Sequence, residues 1–241
     1  MLKFSEIVGH EQIKDHLQTA VRESKPFHAY IFQGETGVGK ENMAKTFAAA
    51  LQCQNQGEKP CGECVSCHQF ESGNQPDVIW VQHEKANLIT VSEIREQVCN
   101  TMDIKPFASP YKIYIVPEAE KMNEQAQNAL LKTIEEPPEY AIIILLTTNA
   151  DMFLQTILSR CVLLNIRPVK EETIRNQLMS EYGIGNYEAN VAAVFANGNP
   201  GKAIKLATSE DFKELKQQVV GTLLSLEKGG MDIITQRVKE A

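Results

Sequence analysis

The run Gly34-Glu35-Thr36-Gly37-Val38-Gly39-Lys40-Glu41 has the residue types needed to hold a phosphate. Glycines at 34, 37 and 39 let the backbone turn tightly and aim N–H groups at an anion, and Lys40 adds positive charge where a helix begins. The spacing follows G-x-x-x-x-G-K-[S/T] up to its last position, where Glu41 replaces the hydroxyl that would hold Mg²⁺. A carboxylate there places like charge beside the phosphates. The motif therefore supports a phosphate loop more strongly than it supports hydrolysis.

A second chemical cluster follows. Cys53 precedes a Cys61-x-x-Cys64-x-x-Cys67 run, and the stretch from Gly57 to Gly62 is polar and turn-rich enough to fold around an ion. Four thiolates suit tetrahedral structural zinc. An iron–sulfur cluster or a redox pair uses similar spacings, but no βαβ context places Cys61 and Cys64 at a helix start in the redox manner. His68, adjacent to Cys67, reads as a surface residue, and Cys99 and Cys161 read as small core side chains.

The elements that must position these groups alternate. Ile13, Leu17 and Val21 recur every four residues and predict a helix before the first strand, about 28–33, which runs into the loop. Met43, Phe47 and Leu51 mark the helix after it. A strand over 77–81, a helix face at Val91, Ile94 and Val98, and a strand over 111–116 follow. At the end of that last strand, where a hydrolase needs an Asp and a Glu, stand Pro117 and Glu118. A helix over 125–134 stops before Pro137-Pro138, and the apolar run within 140–148 predicts a strand covered on both faces. Asn149 then either points toward a γ-phosphate or caps a helix over 151–160, which ends in Ser159-Arg160-Cys161 before a fifth strand at 162–166. Taken alone, Arg160 reads as a cation at a helix C-terminus. Strands alternating with helices imply an α/β fold with a parallel sheet.

Beyond Arg167-Pro168 only helical patterns remain: 173–182, 187–196 and 200–207, then a longer amphipathic stretch from about Ser209. The 241 residues fit one large α/β domain or two to three small ones. No run of about 18 apolar residues predicts a membrane span, and the N-terminus lacks a signal-peptide core, so the cytoplasm is expected. A net charge of −7 argues against a broad basic surface gripping nucleic acid unaided, and hence against a zinc-dependent nucleic-acid module.

The order of phosphate loop, four-cysteine insertion, Asn128-Ala129-Leu130-Leu131-Lys132-Thr133-Ile134-Glu135-Glu136-Pro137-Pro138 and Ser159-Arg160-Cys161 resembles bacterial clamp-loader AAA+ subunits of DNA polymerase III. The resemblance implies an AAA+ P-loop domain at 1–166 with its zinc module at about 53–67, a helical lid domain at 167–208, and the start of a truncated helical collar domain at 209–241. It implies Arg160, flanked by Ser159, as an arginine finger acting in trans. It also implies a degenerate nucleotide site built from Gly34, Gly37, Gly39, Lys40, Glu41, Glu118, Asn149 and Lys202, with ATP or Mg²⁺ bound, if at all, without hydrolysis. The family's ATP-hydrolysing branch, gamma or tau, needs a hydroxyl, an Asp and a lid arginine where this chain has Glu41, Pro117 and Lys202. The expected role is thus that of a non-hydrolysing subunit. The implied partners are gamma/tau and delta subunits in a ring, and the sliding clamp and primer–template DNA through the complex, with no membrane. The alternative is a motor subunit with a variant site.

Overall fold

The computed structural model describes residues 3–228. Five strands, β1 (Ala29–Gln33), β2 (Val78–Trp80), β3 (Lys112–Val116), β4 (Ala141–Thr147) and β5 (Val162–Asn165), form one sheet in the order β2-β3-β4-β1-β5, and every pairing is parallel. Side chains alternate across the sheet with period two, so each central strand feeds two cores. Tyr30, Phe32, Ile113, Ile115, Ile142 and Ile144 face α1 (Glu11–Arg22) and α2 (Lys40–Gln52). Ala29, Ile31, Tyr114, Val116, Ile143 and Leu145 face α4 (Val91–Gln97) and α5 (Glu124–Glu135) on the other side. Every residue of β4 is buried, which is what its unbroken apolar run requires.

The helix faces read from spacing are the buried ones: Leu17 and Val21 on α1, Met43, Phe47 and Leu51 on α2, Ile94 near the middle of α4. Two places differ from the sequence expectation. Residues 151–160 are not one helix but a short 3-10 turn, Ala150–Met152, and a four-residue helix, α6 (Gln155–Leu158). The break comes from Phe153, buried and extended, and from Leu154, whose N–H donates to the Gln127 side chain instead of continuing a helix. The cysteine segment also contains a helix that its polar, turn-rich character concealed, α3 (Val65–Glu71), capped by the Cys64 sulfur.

After β5 come α7 (Glu171–Tyr182), α8 (Asn186–Phe195) and α9 (Pro200–Thr208), which share a separate small core of Ile174, Leu178, Ala189, Ala192, Ala193, Ala196, Ala203 and Ala207. A last helix, α10 (Glu210–Lys228), carries the amphipathic pattern expected from 209; the remainder of that expected segment, 229–241, lies outside the described residues.

Candidate functional site

In an open parallel sheet the crevice beyond the C-terminal ends of the strands is where ligands sit, and the loop between β1 and α2 lies there. Its start is pinned by the Gly34 N–H donating to the Thr147 carbonyl at 3.1 Å. Gly37 and Gly39 have φ of +87° and +109°, the left-handed region that favours glycine, and Gly39 is the residue before the first turn of α2. The loop is thereby bent so that α2 begins at Lys40.

Lys40 does not extend into the crevice. Its ammonium donates to the Gly34 and Glu35 carbonyls at 2.5 and 2.9 Å, folding the side chain back over its own loop. Burial lowers its pKa below the ordinary lysine range, with Glu120, Glu41 and Glu35 pulling it back up. The cavity beside it, about 450 Å³, is walled by Gly37, Gly39, Lys40, Glu41, Pro117, Glu118, Glu120, Thr147 and Thr148 among others.

Each carboxylate of this cavity has a partner, although Glu120 Oε2 is buried without one among the described residues. Glu118 sits in left-handed backbone at φ +47°, and its oxygens meet Lys121 Nζ at 2.6 Å and His83 Nε2 at 3.3 Å. The Lys121 hydrogen bond holds its carboxyl below the usual carboxylate range. Glu41 lies exposed, 3.8 Å from Lys45 one turn along α2. Glu120 accepts from the Thr148 hydroxyl and amide at 2.6 and 3.3 Å. Pro117 offers no side-chain ligand.

Of the residues expected at this site, Gly37, Gly39, Lys40, Glu41 and Glu118 line one crevice, and Gly34 lies behind it, where its carbonyl accepts from Lys40. Asn149 and Lys202 are not among its walls. Asn149 Oδ1 accepts the Asp151 N–H at 2.9 Å, the capping role that spacing also allowed. The Lys202 residue is exposed, and its backbone N–H donates to Asn199 Oδ1. What reaches the loop from α9 is its N-terminus. Buried Asn199 donates through Nδ2 to the Thr36 carbonyl at 2.8 Å, and the Gly201 N–H donates to the Gly37 carbonyl at 3.0 Å. A Cβ on Gly201 would lie 2.7 Å from that carbonyl oxygen, so this approach needs glycine. Asn before Pro at a helix start was the readable signal for the cap; the long-range contact had none. Sequence reading also passed over Glu120, Thr147 and Thr148.

Arg160 stands elsewhere. Val162 of β5 pairs with Tyr30 of β1, so Arg160, two residues earlier, is level with His28 at the N-terminal ends of the strands, whereas the phosphate loop begins at Gly34 beyond the other end. At ~3.3 Å per residue this separates the two by about 20 Å along the strands. An arginine side chain cannot bridge that distance, so Arg160 cannot serve the loop of its own chain. Its Nη1 donates to the Thr156 carbonyl at 2.9 Å and to Ser159 Oγ at 3.3 Å, and its Nη2 pairs with Glu135 Oε1 at 3.0 Å.

The sulfurs of Cys53, Cys61, Cys64 and Cys67 all lie within 4.8 Å of one another. Tetrahedral Zn–S bonds of about 2.3 Å imply S···S separations near 3.8 Å, so the cluster can hold a metal ion with little adjustment. Backbone N–H groups of Glu63 and Cys64 aim at the Cys61 sulfur and bring its thiol down to about 6, while burial pushes Cys67 up to about 12. His68 is exposed and outside the cluster.

Comparisons with known proteins follow the same outline. The family described as "DNA polymerase III, delta subunit" matches residues 9–170. The chain is 39% identical over 173 residues to DNA polymerase III subunit tau of Bacillus subtilis, covering 71% of this chain and 30% of that protein. It is 31% identical over 206 residues to subunit delta' of the same organism, covering 85% and 61%. It is 37% identical over 176 residues to the tau/gamma subunit of Haemophilus influenzae, covering 73% and 25%. The chain thus spans less than two thirds of the length of each of these relatives. Among solved structures, a DNA polymerase III gamma subunit-related protein from Thermotoga maritima matches with TM-score 0.52 at 20% identity, covering 93% of this chain and 76% of that one. The RuvB Holliday junction branch migration motor of the same organism matches with TM-score 0.56 at 15% identity, covering 98% and 71%. These likenesses show an AAA+ type of α/β fold.

Proposed function

Because the chain belongs to the clamp-loader family of DNA polymerase III, we propose that it is a non-hydrolysing subunit of the delta-prime kind, which supports a ring of AAA+ neighbours and supplies Arg160 to the ATP site of an adjacent gamma/tau subunit. The observation that carries this reading is the position of Arg160 at the end of the sheet remote from its own phosphate loop. An arginine so placed can meet a triphosphate only on a neighbouring molecule, and a finger supplied in trans stabilises the charge of a phosphoryl-transfer transition state by about 10³ to 10⁵ in rate.

The phosphate loop, by contrast, lacks what hydrolysis needs. The residue after Lys40 is a carboxylate, the strand end carries Pro117, which offers no metal ligand, and the Glu118 carboxylate is already bonded to Lys121 at 2.6 Å and to His83 at 3.3 Å. These features count against the motor alternative. On this reading the four cysteines hold structural zinc, residues 167–208 act as the lid, and 209–241 begin the collar. Gamma/tau and delta subunits are the ring partners, and the sliding clamp and primer–template DNA are met through the complex in the cytoplasm. Among the described residues no helix is long and apolar enough to cross a membrane.

The test is a clamp loader reconstituted from full-length subunits. Arg160→Ala is expected to remove most of the clamp- and DNA-stimulated ATP turnover, with assembly of the ring intact; unchanged turnover rejects the reading.

A further inference from the structure

We propose that Glu135 is a positioning residue for Arg160, which holds the guanidinium within its own subunit and yields it to the phosphates when the neighbouring site fills with ATP. This rests on the trans role of Arg160 and adds a competitor for it.

Helix α5 ends at Glu135, and the chain leaves it through Glu136, which is not helical, and Pro137-Pro138. A carboxylate in the last turn of a helix faces the negative end of the macrodipole, which disfavours it there. Helix stability therefore gives no reason for Glu135 to be acidic. Its structural partner is Arg160, reached across the packing of α5 on α6 at 3.0 Å. That packing is itself fixed. The Gln127 side chain on α5 donates to the Met152 carbonyl at 3.0 Å and accepts from the Leu154 N–H at 2.8 Å, holding the segment that leads into α6 against α5.

The arrangement splits the guanidinium into two halves. Nη1 is occupied by the Thr156 carbonyl and Ser159 Oγ, both within the turn that carries Arg160, whereas Nη2 is held by Glu135 alone among the contacts of the described residues. The Nη1 contacts can persist while Nη2 changes partner. The pair with Glu135 is also weak, because the two side chains are 39% and 45% exposed and water screens them. A triphosphate with several negative charges, approached in a site that excludes water, attracts the guanidinium more strongly than one carboxylate screened by solvent. An ion pair of this weakness lets Arg160 leave when phosphate is present and retains it when phosphate is absent. A buried, fully desolvated pair would not exchange in this way.

The experiment uses the reconstituted full-length complex with Arg160→Ala, Glu135→Gln, Glu135→Asp and the double variant Arg160→Ala/Glu135→Gln. Turnover is measured across an ATP titration, with and without clamp and DNA. Glu135→Gln is expected to raise the Arg160-dependent basal turnover, or lower its KM for ATP, by up to about fivefold, as loss of an exposed pair allows. The stimulated kcat should stay within about twofold of wild type. Glu135→Asp keeps the charge and should fall nearer wild type, and the double variant should match Arg160→Ala alone.

If Arg160→Ala itself leaves turnover unchanged, the trans role fails and this inference with it. If Arg160→Ala abolishes turnover but Glu135→Gln matches wild type in basal rate and KM, the trans role stands and the competitor is rejected. A Glu135→Gln rate that falls as Arg160→Ala does, or an effect of Glu135→Gln that survives in the double variant, rejects it equally. Both show Glu135 acting otherwise than by withholding Arg160.

Discussion

Lys40 and Arg160 are the two cations with a claim on phosphate chemistry, and the structure treats them oppositely. Lys40 is half-buried, folded onto the Gly34 and Glu35 carbonyls, and flanked by a loop that α9 bonds directly through Asn199 and Gly201. Arg160 is partly exposed at the far end of the sheet, tied by one screened carboxylate and two contacts from its own turn. The lysine is part of the internal bonding of the loop. The arginine is presented outward. The difference teaches that a motif's geometry and its chemistry are separable: the glycines and Lys40 shape the loop although Glu41 and Pro117 stand where a hydroxyl and an acid would hold a metal, while the planar cation suited to transition-state charge lies at the opposite end of the sheet.

The largest effect that would sharpen this contrast is the loss of the planar fork at position 160. Arg160→Lys keeps the charge but not the bidentate geometry. Arg160-dependent turnover of the reconstituted complex is expected to fall by at least tenfold; near-normal turnover would mean that a point charge suffices and that the two cations differ only in position. The reverse test is Lys40→Ala. Removing its bonds to two carbonyls, partly exposed as they are, should cost about 1 kcal/mol and lower the Tm by about 2–4 °C. Turnover of the complex should keep most of its wild-type value. A loss as deep as that of Arg160→Ala would break the comparison, because it would make this loop a working site.

Much of the fold, though little of this contrast, is legible in the sequence. The parallel sheet followed from apolar runs separated by helical periodicities, and α5 from the Pro137-Pro138 stop, because these signals are local and each central strand is buried on both faces. The cysteine cluster was legible because ligand spacing is a property of sequence alone. What escaped depended on contacts between distant residues. The bond from Asn199 to Thr36 spans 163 residues and leaves no trace in periodicity. Glu120 and Thr148 look like ordinary turn residues until β3 and β4 lie side by side. The helix expected at 151–160 failed for the same reason, since buried Phe153 and the Gln127 acceptor override local propensity. Arg160 could be named from its flanking residues, but that it lies at the end of the sheet remote from its own loop required the β1–β5 register.

The smallest predicted effect concerns the acid that faces Lys40. Burial pushes the Glu120 carboxyl upward, yet hydrogen bonds, chiefly from the Thr148 hydroxyl and amide, outweigh it and leave it below the usual carboxylate range. A group whose folded pKa is depressed adds stability above its unfolded value of about 4.3, and loses it as pH falls through the lower folded value. Wild-type protein should therefore lose slightly more stability than Glu120→Gln between about pH 5 and pH 3, measured as Tm against pH, with the two curves parallel above pH 6. The neutral amide can still accept from Thr148, so the difference isolates the charge. If the acid limbs coincide, Glu120 contributes no charge-dependent stability. Lys40 would then be held chiefly by the Gly34 and Glu35 carbonyls, and the contrast with Arg160, which is met by a carboxylate at 3.0 Å, would be sharper still.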